Sequence, residues 1–222
     1  MSSIARFLSS SIGRKVLMAL TGLFLILFLV AHLAGNLLIF AGAEPFNQYS
    51  HALLSTALIY IAEAGLLVLF IAHFVAGIMV YISSWAARPE PYRQKRWARS
   101  TSNKSVASAT MIFSGIMVLV FVPLHVWTFK FGAYYMAAGE AGMRDLHRLV
   151  LEVFQKPGYV AGYVIAMAVL GFHLWHAFGS ALESLGVHYR KSLRRFGEAL
   201  AVVLAAGFLL IPVVVYLMGD QL

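Results

Sequence analysis

The chain has 222 residues, of which 61% are hydrophobic and only 12% charged, and its formal net charge is +8. Soluble domains average about 25% charged residues, so this composition excludes an ordinary soluble domain and indicates an integral membrane protein. Cysteine is missing, which excludes disulfides, thiolate-bound zinc and iron–sulfur ligation.

The N-terminal segment 1–14 has apolar residues at helical spacing (Ile4, Phe7, Leu8 and Ile12), which predicts a short interfacial amphipathic helix, with a frayed terminus as the alternative. The apolar run that follows is longer than the roughly 7–15 residues of a signal-peptide core, and no small-residue cleavage site follows promptly. We therefore expect this run to be a permanent membrane span.

Five apolar stretches are long enough to cross a membrane, since about 20 residues at about 1.5 Å each span roughly 30 Å of hydrocarbon. They lie at about 15–40, 57–85, 107–131, 158–184 and 198–218. The predicted fold is therefore all-α, a bundle of five transmembrane helices that forms a single domain over residues 1–222.

Two connectors carry further structure signals. Gly42 and Pro45 are expected to break the helix at the start of connector 41–56. The region 132–157 predicts an extramembrane amphipathic helix that ends at Pro157 and the glycine after it.

Basic residues are concentrated on alternate connectors. Thirteen lie in the N-terminal segment and in the second and fourth connectors, namely Arg6, Arg14, Lys15, Arg88, Arg93, Lys95, Arg96, Arg99, Lys104, Arg190, Lys191, Arg194 and Arg195. Four lie in the third, namely Lys130, Arg144, Arg148 and Lys156, where Glu140, Asp145 and Glu152 dilute them. The positive-inside rule then predicts a cytoplasmic N-terminus and an external C-terminus. This placement indicates contacts with anionic membrane lipid and docking partners, not nucleic acid.

Four histidines, His32, His73, His125 and His173, lie in four separate spans, each about two thirds of the way along. Because successive spans alternate in direction, the first and third histidines are expected near one face and the other two near the opposite face, roughly 10–18 Å away. Ionisable residues in hydrocarbon are costly and mark functional sites.

Two facing pairs of imidazoles are typical of the axial ligands of two b-type haems, held by histidine and packing alone. Zinc is the main competitor, but each pair offers only two nitrogens and no adjacent carboxylate, so a tetrahedral site would be incomplete.

Other histidines are less informative. His176 lies three residues after His173 on nearly the same face, and depth does not separate the two. His51, His147 and His188 fall in connectors, and the last two are expected to be solvated surface residues.

A weak internal repeat accompanies two of the histidines. Thr21-Gly22 precedes His32 by about ten residues, and Ser114-Gly115 precedes His125 in the same way, about 15 Å along each helix. The glycines would then lie at the level of the other haem, where they let a flat ring approach the backbone. The alternative is an ordinary helix contact through small residues.

Four segments carry a family resemblance: GLFLILFLVAH (22–32), FIAH (70–73), HVWTFKFG (125–132) and GFHLWHAFGSALESLG (171–186). With them, nearly the whole chain resembles the dihaem cytochrome b membrane anchor of succinate dehydrogenases and fumarate reductases. The likeness is greatest to the single-subunit, five-helix form of menaquinone-using bacteria.

The resemblance implies that His32 and His125 hold an outer haem b, and that His73 and His173 hold an inner one. The HxxxxxxS pattern that ends at Ser180 favours His173 over His176. The implied partners are an iron–sulfur subunit, docked beside the inner haem, and a flavoprotein subunit that carries the dicarboxylate chemistry. The chain itself would be the quinone-reactive subunit in the bacterial inner membrane, with menaquinone as substrate. A higher oligomer of the complex stays open.

Quinone reduction consumes two protons and needs an acid or imidazole near the ring. The resemblance puts the quinone near the outer haem, where the polar residues are Asn36, Asn47, Gln48, His51 and Glu63. Gln48, His51 and Glu63 are the predicted quinone contacts, with helix capping or interfacial hydration as the alternative.

One departure concerns Gly171, which stands where dihaem fumarate reductases with a transmembrane proton path carry a glutamate. The proton path and the physiological direction of catalysis are therefore left open.

Two other functions stay open from the sequence. One is the cytochrome b subunit of a hydrogenase, formate dehydrogenase or nitrate reductase. The other is a haem-free small transporter with buried histidines as proton relays, which would need a continuous polar path that these spans nearly lack.

Overall fold

The structure is a computed structural model, and it describes residues 3–86, 106–137, 142–187 and 191–221. Regular structure in these ranges is helical, apart from a single antiparallel bridge between Met136 and Arg144. The predicted all-α class is confirmed.

Eight α-helices follow one another in the described ranges. They are α1 (Ser3–Ser9), α2 (Ser11–Asn36), α3 (Ala43–Leu54), α4 (Leu58–Ala86), α5 (Val106–Phe129), α6 (Leu146–Phe154), α7 (Pro157–Ser184) and α8 (Lys191–Met218). Short 3₁₀ helices follow α2 at Leu37–Ala41 and α8 at Gly219–Gln221.

Five of these helices, α2, α4, α5, α7 and α8, are long and apolar enough to cross a membrane, and the mean hydropathy of their most apolar windows ranges from 1.5 to 2.7. The five predicted spans are confirmed with small shifts in their ends. Helix α8 begins at Lys191, before the expected residue 198, and an ion pair one turn apart between Arg194 and Glu198 supports the added turns.

The N-terminal segment is helical but interrupted. Helix α1 ends at Ser9, and Ser10 caps the start of α2 by accepting a hydrogen bond from the backbone N–H of Gly13 at 3.0 Å. The expected interfacial helix over 1–14 is therefore divided, and its second part belongs to the first span. The Phe7 and Ile12 side chains are exposed.

Both connector predictions need correction at their prolines. Gly42, with φ +100°, makes the turn that a side chain would strain, but Pro45 lies inside the first turn of α3, where helical N–H groups have no partner to lose. Similarly, α6 is only nine residues long, and Pro157 does not end it but opens α7. Proline suits the first turn because its fixed φ is already helical.

The spanning helices pack through small residues. Helix α2 contacts α4 and α7, and α7 also contacts α5 and α8. At the α7–α8 contact, a Cβ added to Gly171 would lie 2.8 Å from the Cβ of Ala205. Where α8 meets α2, a Cβ added to Gly207 would meet Leu33. Without a hydrophobic effect between helices in lipid, such close approach is the main source of packing energy.

One end of the bundle, here called the capped end, is covered by α3 and α6. The buried side chain of Asn47 joins them, since its Nδ2 donates to Asp145 Oδ1 at 2.8 Å and its Oδ1 accepts from the backbone N–H of His147 at 2.9 Å. The same Asp145 oxygen caps α6 by accepting from the backbone N–H of Arg148. The apolar core runs from the spans into this cap.

Part of the charge pattern lies outside the described residues. It comprises the six basic residues of the second connector and, in addition, Glu140, His188 and Arg190.

We expect Asn47→Ala to destabilise the capped end by roughly 1–3 kcal/mol, because two buried polar groups lose their partner together. Unfolding of the detergent-solubilised protein measures this loss. Ser55→Ala, which removes an exposed hydroxyl at the end of the same helix, is the control and should change stability by less than about 0.5 kcal/mol. Equal stability of the two variants would contradict the bridging role of Asn47.

Candidate functional site

The first histidine pair joins α2 and α5. The ring centroids of His32 and His125 lie 5.8 Å apart, and their planes are nearly perpendicular at 86°. Phenylalanine rings surround both, with Phe28 stacked on His32 at 5.2 Å and Phe121 tilted against His125 at 5.7 Å. The site is therefore an aromatic, water-poor space with two imidazoles at its centre.

The second pair joins α4 and α7. The ring centroids of His73 and His173 lie 6.4 Å apart, with an angle of 75° between their planes. The ring that faces His73 is that of His173 and not that of His176. All four paired histidines are partly buried.

Two hydroxyl groups hold the second pair. His73 Nδ1 lies 3.2 Å from Thr21 Oγ1 and 3.0 Å from the carbonyl oxygen of Met18, and His173 Nδ1 lies 3.1 Å from Ser114 Oγ. Thr21 and Ser114 are themselves buried, at 5% and 7% exposure. Helices α2 and α5, which supply the first pair, thus also supply the polar neighbours of the second pair.

The glycines that follow these hydroxyls lie at the same level. A Cβ on Gly22 would come 3.0 Å from His73 Cε1, and one on Gly115 would come 3.7 Å from His173 Cε1. The sequence predicts that both glycines lie near the other pair, and Thr21 and Ser114 belong to the same repeat, but the sequence assigns no role to their hydroxyls. The spacing of eleven residues, from Thr21 to His32 and from Ser114 to His125, is three helical turns and keeps both side chains on one face.

The distance between the two pairs follows from this spacing, since eleven residues rise about 16 Å along a helix. Both pairs lie inside the group of helices α2, α4, α5 and α7, one above the other along the bundle axis.

Tyr163 is a further neighbour that sequence reasoning missed. Its hydroxyl lies 3.1 Å from His125 Nδ1, and its ring contacts Phe121, Phe129 and Phe154. It lies ten residues before His173, nearly three turns, so α7 also serves both pairs.

The predicted quinone residues lie at the capped end without a contact to either pair in the described part of the chain. Gln48 and His51 are exposed on α3, where Gln48 donates to Glu44 at 3.2 Å. Glu63 forms an ion pair with Lys130 between α4 and α5. Of the other polar candidates, Asn36 donates to the His32 carbonyl, and Asn47 joins α3 to α6.

A groove of about 680 Å³ lies between α5 and α7, lined mostly by apolar side chains, and Tyr163 forms part of its wall. A smaller cleft of about 240 Å³ adjoins it at the capped end and contains Glu152 and Lys156. Hydrogen bonds from Tyr135 at 2.6 Å and from Arg148 at 2.9 Å lower the pKa of Glu152. This carboxylate is therefore ionised at neutral pH.

His147 was expected at the solvated surface, and that expectation is wrong. Its side chain is 4% exposed, beneath α3, with its ring 6.1 Å from that of Phe46 and a hydrogen bond to the Ile39 backbone. Its Nε2 has no protein partner within the described ranges. The buried side of the short helix α6 begins at this position, so the residue faces the cap and not the solvent.

Burial lowers the pKa of His147 from its ordinary 6.5, with a smaller opposing effect from Asp145. Because the folded state resists protonation, stability is full above pH 6.5 and falls as the pH drops below it. We expect the melting temperature to decrease less steeply between pH 7 and 5 in His147→Phe than in the wild type. The matched control is His51→Phe, which changes an exposed histidine and should keep the wild-type slope; an unchanged slope in His147→Phe would refute the assignment.

Comparison with known proteins gives one informative relative. The chain is 21% identical over 179 residues to the succinate dehydrogenase cytochrome b558 subunit of Bacillus subtilis (strain 168), and the alignment covers 80% of this chain and 81% of the relative. No family model and no solved structure gives a significant match.

This similarity confirms the resemblance that the four sequence segments indicated. Together with the five apolar spans, it identifies the chain as a multi-pass protein of the bacterial cytoplasmic (inner) membrane.

Proposed function

We propose that the chain is the cytochrome b membrane anchor of a succinate dehydrogenase or fumarate reductase complex, and that it moves electrons through two b haems between the iron–sulfur subunit and menaquinone. The observation that carries the proposal is the presence of two facing histidine pairs at two levels of one bundle. The relative supports it, since that protein is named a succinate dehydrogenase cytochrome b subunit.

The spacing of each pair would let both rings bind one iron. Metal–nitrogen bonds are about 2 Å long, so two imidazole rings that share an iron would have centroids roughly 6 Å apart. The measured centroid distances are 5.8 and 6.4 Å. Zinc fits poorly, because among the described residues no cluster of three or more His, Cys, Asp or Glu side chains is present.

The haems would supply one-electron chemistry, and the chain's own residues would hold and shield them. His32 and His125 would hold one haem near the capped end, while His73 and His173 would hold the other near the opposite end. The phenylalanine rings around the first pair would surround this haem with apolar side chains, which favours exclusion of water and fewer side reactions.

The basic residues indicate how this bundle is oriented in the complex. If the N-terminus is cytoplasmic, as the positive-inside rule predicts, the His73–His173 pair lies on the cytoplasmic side with the iron–sulfur and flavoprotein subunits. The capped end then faces outward, and quinone reacts there, with Gln48, His51 and Glu63 as its proposed contacts.

Alanine replacement of single histidines tests the pairing. In the purified complex, His32→Ala or His125→Ala should remove one haem and its redox midpoint, and His73→Ala or His173→Ala should remove the other, because each haem would lose one of the two histidines that would hold it. Pyridine haemochrome content and redox titration measure the result. His176→Leu is the matched control and should keep both low-spin haems.

Three results would overturn all or part of this assignment. A wild-type complex without haem would exclude the proposed function, and a full haem content after loss of either member of a pair would exclude that pair. Loss of haem in His176→Leu with retention in His173→Leu would exchange the roles of these two residues.

Separate substitutions of Gln48, His51 and Glu63 test the quinone contacts. Each should lower succinate:menaquinone activity, while succinate oxidation with an artificial dye and the haem content stay unchanged, because only the quinone loses a polar contact. Lys130→Gln is the control for Glu63→Gln, since it breaks the same ion pair but keeps the carboxylate. If all three variants keep full succinate:menaquinone activity and Lys156→Gln loses it, the quinone site would instead be the groove between α5 and α7.

A further inference from the structure

The hydroxyl groups of Thr21 and Ser114 occupy equivalent places in two different helices. Each lies eleven residues before a histidine of the first pair and contacts a histidine of the second pair. Each is followed by a glycine next to the imidazole ring, and at Gly22 a Cβ would lie only 3.0 Å from His73 Cε1. Helices α2 and α5 therefore carry the same three features on one face, in the same order.

Hydrogen-bond directions follow from the neighbours of each hydroxyl. Thr21 Oγ1 donates its proton to the Leu17 carbonyl at 2.7 Å, and Ser114 Oγ donates to the Met111 carbonyl at 3.0 Å. Each oxygen then has only lone pairs to offer a histidine, so it accepts from Nδ1–H.

The Met18 carbonyl supports this direction at His73. A carbonyl oxygen can only accept, so a hydrogen bond at 3.0 Å requires that Nδ1 carry the proton. With the proton on Nδ1, the lone pair is on Nε2, which is the nitrogen free to bind a metal.

We propose that Thr21 and Ser114 are positioning residues that hold His73 and His173 as Nε2 ligands and raise the electron donation of these imidazoles to the iron. This inference rests on the proposed function, because it concerns the haem bound by that pair. A hydrogen bond accepted from the distal nitrogen makes a ligating histidine more basic. A more basic ligand favours the oxidised iron, so both hydroxyls lower the midpoint potential of the haem at the second pair.

The two hydroxyls should contribute unequally. His73 keeps the Met18 carbonyl when Thr21 is removed, whereas within the described residues His173 Nδ1 has Ser114 as its hydrogen-bond partner. Loss of Ser114 therefore leaves a buried donor without an acceptor, and loss of Thr21 does not.

The test uses the assembled complex with Ser114→Ala and Thr21→Val. Both variants should retain two haems, and the midpoint that disappears in His73→Ala should move to higher potential, while the other midpoint stays in place. For Ser114→Ala the expected change in the reduction equilibrium constant is roughly two- to tenfold, the size of one ordinary hydrogen bond, and for Thr21→Val it is smaller. The electron paramagnetic resonance signal of the oxidised haem at this pair should shift as well.

Conservative variants and a matched control separate positioning from packing. Ser114→Thr and Thr21→Ser keep the hydroxyl and should restore the wild-type potential. Ser184→Ala removes a hydroxyl that donates to the Ser180 carbonyl on α7, the helix of His173, and should change neither midpoint.

The inference is overturned if Ser114→Ala matches Ser184→Ala in both midpoints and in the resonance signal. It is also overturned if Ser114→Ala loses a haem that Ser114→Thr does not restore, because a hydroxyl would then not be what the site requires. If Ser114→Ala and Thr21→Val keep the wild-type midpoints in a complex that holds two haems, this inference fails but the proposed function stands. A wild-type complex without haem would overturn both proposals.

Discussion

The structure depends on the cost of placing an imidazole in hydrocarbon. An N–H group without a partner costs several kcal/mol there, so a buried imidazole needs a polar neighbour. His73, His125 and His173 have such neighbours on adjacent helices, namely a threonine, a backbone carbonyl, a tyrosine hydroxyl and a serine. This need sets which helices must be adjacent and where their backbones must come close.

Helix α7 combines these contacts, because it packs against α2, α5 and α8 and carries both His173 of the second pair and Tyr163, which contacts His125 of the first pair. Close contact with α8 at Gly171 leaves no room for a side chain, since even a methyl group there would lie 2.8 Å from Ala205. A glutamate at this position would force the two helices apart. Glycine in place of a glutamate at position 171 is thus required by the packing of α7 against α8.

The sequence predicted the features that depend on the local order of residues. It missed the features that depend on contacts between segments far apart in the chain. Span positions follow from local hydropathy, and alternation of direction placed the four histidines at two levels. It could not show that His147 is buried, because that follows from α3 folding over α6 through Asn47, about 100 positions away. Nor did it show Tyr163 as a neighbour of His125, since no local pattern separates a packed tyrosine from a lipid-facing one. Pro45 and Pro157 were misread because proline breaks a helix interior but suits a helix start.

The low identity to the relative is explained by how few positions the histidines and the helix contacts restrict. Much of the surface of the spans lies outside the helix contacts, as at Leu58 and Leu217 with 70% and 71% exposure, and lipid accepts almost any apolar side chain at such positions. The positions that cannot change freely are few: the histidines, the polar groups that contact them and the small residues between helices. A bundle of this kind can therefore keep its two-level geometry while most of its sequence changes, and 21% identity over four fifths of the chain is compatible with the same arrangement of helices.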